Sequence, residues 1–322
     1  MSDTDLNQLL ELLRLSPGEA GGNVQIVGND PVVASPHRLG EASAIALAAQ
    51  GAGIASIWKM RSGRGQNVTV NLADAVHGLH TLTYMKQHGH PISLHVVKEA
   101  ITDFHRCGDG RWIFTTCSYP HLRDGVLDLL RCQNTKAAIN NAVSKWSAQD
   151  LEDALGEQGL AAGMVRKRQE WLEHPQGRLL SGLRAIEITK IADGPPMPFL
   201  PAERPLSGIK VLDMTHVIAG PLLARTLAEQ GADVLHVSQS NHDDPQAMVM
   251  EVGHGKRNAY IDFDNDEDMK QLNSLISSAD VFVNSWRPGS IEHHGFGPDE
   301  LARKRPGIIY VQESAYGLKG PW

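Results

Sequence analysis

The sequence predicts an α/β protein: a parallel sheet with helices on its faces in the C-terminal half, and a helical and mixed N-terminal half that includes a small α+β domain. Three observations carry this. Beyond residue 206, short β-branched runs alternate with helical stretches, the pattern of βαβ units. Pro195, Pro196, Pro198, Pro201 and Pro205 crowd one short stretch, a density that favours an extended, semi-rigid connector. Residues 121–175 repeat as three or four short amphipathic helices. The expected organisation is a helix-turn-strand part over 1–100, a small α+β domain over 101–192, a proline-rich linker over 193–205 and the sheet-forming half over 206–322.

In chain order, an acidic leader precedes a short leucine-rich helix at 6–15, and residues 17–40, rich in Gly and Pro, read as loop. From Glu41 to Lys59 the chain is Ala- and Ile-rich with almost no charge, which suits a buried helix packed closely on its neighbours. Arg61-Ser62-Gly63-Arg64-Gly65-Gln66 is a basic turn, followed by a strand at 67–70 and a helix from about 72 to 87. Residues 108–117 read as a hairpin turn and strand, and Ile186-Glu187-Ile188-Thr189 as another strand. In the C-terminal half, strands are expected at 209–214, 232–237, 260–263, 281–284 and 308–311. A helix with Pro221 at its start and Gly231 past its end fills the first connection, and another spans 266–278.

Composition excludes several function classes. With 322 residues, 41% hydrophobic and 21% charged, the chain can bury a sizeable core. Its formal charge of −7 offers no basic field for nucleic acid or an anionic membrane, so any anionic ligand needs a local patch. No apolar run approaches the roughly 20 residues of a membrane helix, and the acidic start lacks a signal-peptide layout. Cys107, Cys117 and Cys132 show no CxxC spacing, which argues against a disulfide framework or a cysteine zinc site and for a reducing cytoplasm. His77 and His80 lie one helical turn apart, but no further ligand follows at a metal-site spacing, so no metal is expected.

Five ordered segments of the C-terminal half form a pattern: Leu206 to Thr215 with Ala219-Gly220-Pro221 and Gly231-Ala232-Asp233-Val234; Gly255-Lys256-Arg257; Ala279-Asp280-Val281 through Arg287-Pro288-Gly289; Pro306 to Tyr310 with Tyr316-Gly317; and Gly320-Pro321-Trp322. Together they resemble the Rossmann-like opening half of the family III coenzyme A transferases, the CaiB/BaiF group of formyl-CoA transferases, carnitine-CoA transferases and α-methylacyl-CoA racemases. Leu39 to Asp74, with its Arg61-to-Gln66 turn, and residues 108–170, with Gly159-Leu160-Ala161-Ala162-Gly163, resemble what that family carries later in its chain. The two halves therefore stand in swapped order.

The resemblance implies transfer of coenzyme A between an acyl-CoA and a carboxylic acid. An aspartate attacks the thioester, a mixed anhydride forms, and the thiolate leaves and returns. It implies no metal or redox cofactor, coenzyme A being a substrate, and a homodimer of interlocked chains. Val217 and Ala219 would line the adenine side of the ligand beside the helix start. Lys256, Arg257 and Arg287 would meet phosphates, and Trp286 would lie beside the adenine. Gln239 stands where the family usually has an arginine. The family's nucleophile lies downstream of the motif ending at Trp322. Asp30, ahead of Leu39-Gly40-Glu41, is the candidate carboxylate, with an Asx-type turn as its other reading. Asp213 is the competitor but lies inside a strand. Arg61 and Arg64 fit either a partner's phosphate or the helix C-terminus. Three rivals stand beside this reading: a catalytically inactive or truncated coenzyme A-binding chain, an NAD-dependent oxidoreductase lacking the glycine fingerprint, and an acyl-CoA racemase.

Overall fold

The computed structural model describes residues 3–92, 100–239 and 244–322. Its contacts divide the chain into two units. One gathers the described residues up to 92 with Arg184–Leu318; the other gathers those from 100 to Leu183 with Lys319–Trp322. The stretch from Arg184 to residue 192, expected with the small domain, therefore goes with the larger unit.

The larger unit holds a five-stranded, wholly parallel sheet. Its strands are Lys210–Met214, Asp233–Ser238, Arg257–Tyr260, Val281–Asn284 and Ile309–Gln312. Counted along the chain, they lie in the order 3-2-1-4-5 across the sheet. The order reverses between Lys210–Met214 and Val281–Asn284, and such a switch point opens a crevice at the carboxyl ends of the two strands. Every residue of Val281–Asn284 is buried, as a strand covered on both faces must be. One face packs Leu212, Met214, Leu272, Ile276, Phe282 and Phe296, and another core joins Val211, Val234 and Val283 to Ala224 and Ala228 of the helix Ala219–Glu229. The third strand sits three residues earlier than the expected 260–263, because Arg257–Tyr260 is the run that pairs with Leu235–Ser238.

In the same unit the helix Leu39–Ser62 buries an alanine stripe at Ala44, Ala48, Ala52 and Ala55. Small residues allow close approach: a Cβ on Gly51 would stand 2.7 Å from Val68 Cγ1. This helix connects two parallel strands, Val24–Val27 and Val68–Asn71. The first falls inside the stretch expected to be loop, where four residues between glycines leave little period to read. The expected helix 72–87 ends at Gly78, and Thr81–Tyr84 forms a separate turn. Ile186–Thr189 forms no strand. From Arg184 to Pro198 every residue is exposed.

The smaller unit packs the helices Pro120–Leu130, Lys136–Val143 and Ala148–Glu157 on a three-stranded antiparallel sheet. Its core holds Ile101, Ile113, Val126, Ile139, Leu151 and Leu155. Cys107 and Cys117 are buried there, and burial, with Asp109 nearby, pushes the Cys107 thiol up to about 11. No helix among the described residues is long and apolar enough to cross a membrane.

Candidate functional site

The switch point places three segments together. After Met214 the chain turns through His216, Val217 and Ile218 into the helix Ala219–Glu229. After Asn284 it passes through Ser285, Trp286 and Arg287, and after the second strand it reaches Asp244. The His216 N–H donates to Ser285 Oγ at 2.9 Å, and the Val217 N–H donates to Asp244 Oδ2 at 2.9 Å. The His216 ring meets the Trp286 indole edge-on, centroids 4.7 Å apart, and the indole also touches Phe263 at 6.0 Å. Trp286 N–H closes a turn onto Asn284 Oδ1 at 3.3 Å. Gly220 is required here, because a Cβ would stand 2.6 Å from the Thr215 side chain. The result is a tightly wound turn feeding a helix N-terminus, with exposed Ala219 and Ile218 on it and exposed Arg287 on the neighbouring loop. A helix start suits an anionic group, and an exposed arginine follows two residues after the Ser285 contact.

Val217, Ala219, Trp286 and Arg287 are thus brought to one edge. Gln239, just beyond the strand Asp233–Ser238, also lies at the carboxyl edge.

Two expected phosphate partners are not brought there. Lys256 is a correction: its side chain is only 1% exposed and its ammonium is engaged against the first turn of the helix Ala219–Glu229, donating to Asp213 Oδ2 at 2.7 Å and to the Pro221 carbonyl at 2.6 Å. Asp213 also accepts from Thr215 and from the His236 ring, the latter at 3.0 Å. Burial alone would push the Asp213 carboxyl up, but His236 and Lys256 outweigh it and hold the group below the usual carboxylate range. Burial pushes the Lys256 ammonium down, and Asp213 beside it offsets part of that. Arg257 is the second correction. It opens its strand at the amino edge, pairs with Asp233, and is 71% exposed. At about 3.3 Å per residue, the strand separates it from the carboxyl edge by roughly 10 Å. The pocket beside Arg257, with Lys210, Asp233 and Leu275, holds only ≈ 150 Å³, well below the several hundred Å³ of an ordinary cofactor site.

The Asp30 carboxylate lies at the start of the long helix. Its Oδ2 accepts the Glu41 N–H at 2.8 Å and its Oδ1 the Val32 N–H at 3.4 Å. The second contact is an Asx turn, and the first satisfies a donor at the helix start. Gly40 makes the approach possible, since a Cβ there would fall 2.3 Å from Asp30 Oδ1. A second carboxylate, Glu41, is buried at the same helix start and paired with Arg38.

Arg61 serves neither expected role. It donates to the carbonyls of Pro205, Leu200 and Ser207 at 2.6, 2.7 and 2.9 Å and stacks over Phe199, so it fastens the proline-rich stretch to the long helix. His77 bonds Tyr84 at 2.8 Å, while His95 lies outside the described residues. Asp244, Ser285 and Glu41 had no signal in the sequence: an acidic or hydroxyl side chain in a loop or first helical turn reads as solvated surface.

The sequence profile of CoA-transferase family III matches residues 20–203 and 206–322. The chain belongs to CoA-transferase family III. The break between the matched stretches falls at Arg204–Pro205, within the proline-rich segment. The acetyl-coenzyme A transferase nodX of Hypoxylon pulicicidum is 34% identical over 161 residues, 47% of this chain and 23% of that protein. An acyl-CoA transferase of Gibberella moniliformis is 34% identical over 192 residues, 56% of this chain and 34% of that protein. Human α-methylacyl-CoA racemase is 32% identical over 143 residues, 44% of this chain and 29% of that protein. The crystal structure of Rv3272 from Mycobacterium tuberculosis is 33% identical, covering 37% of this chain and 35% of that one, with a TM-score of 0.34. The chain spans about a quarter to a third of the length of these curated relatives. Within this family III chain, the edge that combines a helix start, an aromatic pair and an exposed arginine is the carboxyl edge of the sheet.

Proposed function

We propose that this chain moves coenzyme A between an acyl-CoA and a carboxylic acid, with coenzyme A seated at the carboxyl edge of the five-stranded sheet. The observation that supports this is the His216–Ala219 turn at the switch point, with Trp286 and Arg287 beside it, in a chain of CoA-transferase family III. Ala219 and Val217 would face the adenosine end, and Arg287 a phosphate. No further cofactor is part of this reading.

Asp30 is the proposed nucleophile. Its oxygen adds to the thioester carbon, the C–S bond breaks, and the thiolate departs, leaving an acyl-aspartyl anhydride. The thiolate then attacks the aspartyl carbonyl, which releases the donor acid and leaves an aspartyl thioester. The acceptor carboxylate adds to that carbonyl and expels the thiolate, which finally attacks the acceptor's acyl carbon and frees Asp30. Backbone N–H groups near Gly40 suit the tetrahedral oxyanion. Incubation with acyl-CoA and an acceptor acid, trapping with hydroxylamine, and mass spectrometry test this. A hydroxamate on Asp30, lost in Asp30→Ala, is the expected result; one on Glu41 moves the role to that residue.

One observation favours a second reading, a coenzyme A-binding chain without turnover: both Asp30 oxygens already accept backbone N–H groups. Bound coenzyme A with neither turnover nor trapped label would establish it. The proposed partner is a second copy of the chain, interlocked with the first, in the cytoplasm. Supporting this are Ile186, Ile188, Ile191, Met197 and Leu200, all exposed along one extended stretch. Light scattering at micromolar concentration should give a dimer mass; a sharp monomer overturns it.

A further inference from the structure

Among the described residues, Arg14, His88, Arg131 and Val217 are the non-glycine residues with positive φ. Val217 alone of these is β-branched, and at φ 66 its Cβ crowds its own backbone. A strained conformation persists only where its surroundings over-determine it, and such strain gathers at ligand sites. Here the surroundings can be named. The Val217 N–H is held by Asp244 Oδ2 at 2.9 Å, and the Asp244 side chain is only 8% exposed. His216 Nδ1 stands 3.7 Å from the same oxygen. One residue earlier, the His216 N–H is tied to Ser285 at 2.9 Å. Three residues on, Gly220 lies against Thr215 with no room for a side chain.

The strained residue thus sits between two tied backbone positions, and its own N–H is held by the Asp244 carboxylate. Released, Val217 would return to negative φ, turning the His216–Val217 and Val217–Ile218 peptides and re-aiming the start of the helix Ala219–Glu229. We propose that Asp244 is a positioning residue: it holds Val217 in its strained conformation and so presents the helix start to the anionic part of coenzyme A. This rests on the reading of that turn as the coenzyme A site.

A double-mutant cycle tests it, reading both coenzyme A affinity by calorimetry and thermal unfolding. Asp244→Ala should weaken coenzyme A about tenfold, the scale of losing one strained backbone conformation. Asp244→Asn, whose amide oxygen still accepts the N–H, should recover most of that loss. Glycine adopts positive φ without strain, so in a Val217→Gly background the added Asp244→Ala should change affinity less than about twofold. The midpoint of unfolding should show the same non-additivity, with Asp244→Ala costing less when residue 217 is glycine. Equal effects of Asp244→Ala in both backgrounds overturn the proposal. So does tighter binding by Asp244→Ala, which would show a carboxylate competing with the ligand's anion. If the wild-type chain binds no coenzyme A, the functional reading fails, and the unfolding arm alone still decides whether Asp244 holds Val217.

Discussion

At the amino edge of the five-stranded sheet, Arg257 pairs with Asp233 and Arg305 with Asp280, side chain to side chain. At the carboxyl edge, Asp244 turns inward onto a backbone N–H, a valine is held at positive φ, and a histidine and a tryptophan pack edge to face. Both edges carry arginines and aspartates. At one edge the charges satisfy each other, while at the other a carboxylate also accepts a backbone N–H and Arg287 is exposed on the loop after Asn284. Between the edges lies a third arrangement: Asp213, His236 and Lys256, buried together. Charge type therefore says little about role in this molecule; what each charge is held by says more.

The largest effect should come from the buried cluster. Lys256→Met leaves the Asp213 carboxylate buried beside an uncharged neighbour and should cost about 3–5 kcal/mol by chemical denaturation. A loss below about 1 kcal/mol would mean the pair is no better placed than a surface one. Next, Arg287→Ala should weaken coenzyme A by about ten- to a hundredfold, the worth of a charge-assisted hydrogen bond. Unchanged affinity would remove Arg287 from the proposed site.

Acid titration gives a smaller effect and sharpens the buried case. The Asp213 carboxyl is held below 3.8. In the smaller unit, burial is the largest single influence on the Glu152 carboxyl and would raise it, but the hydrogen bonds from Arg166 and the Met164 N–H, with the Arg166 charge, together outweigh it and hold it below 4.5. For both, the unfolded chain takes up the proton first. Their stabilisation is therefore complete above pH 4.5 for Glu152 and 3.8 for Asp213, and is lost as pH falls through the lower folded-state values. Unfolding temperature should fall below pH 4.5, and Glu152→Gln should flatten the upper part of that decline. The smallest effect belongs to Arg257→Ala: within about 1 kcal/mol in stability, as for an exposed pair, and no change in coenzyme A affinity. A clear loss of affinity would return Arg257 to the site.

Much of this was legible in the residues. The alternation beyond 206 set a parallel sheet, and the strand at 281–284 and the helix at 266–278 stand where periodicity put them, because long or fully buried segments have a strong apolar period. The turn before Pro221 and the tryptophan–arginine pair after Asn284 were identifiable because their motifs lie close together in sequence. Contacts made across the fold were not. Lys256 and Arg257 are neighbours in the chain, yet one is buried against Asp213 and the other is exposed beside Asp233; that separation follows from which strand each side chain meets. Val24–Val27 becomes a strand only because Val68–Asn71 is beside it. Ile186–Thr189 has the alternating pattern of a strand but, among the described residues, pairs with no other strand, and its backbone stays irregular. Local preference determined most of the strands, helices and turns beyond residue 206, where apolar runs are long or fully buried. The tertiary structure alone decided that Asp244 would reach Val217, since a hydrogen bond spanning 27 residues leaves no period or spacing in the sequence.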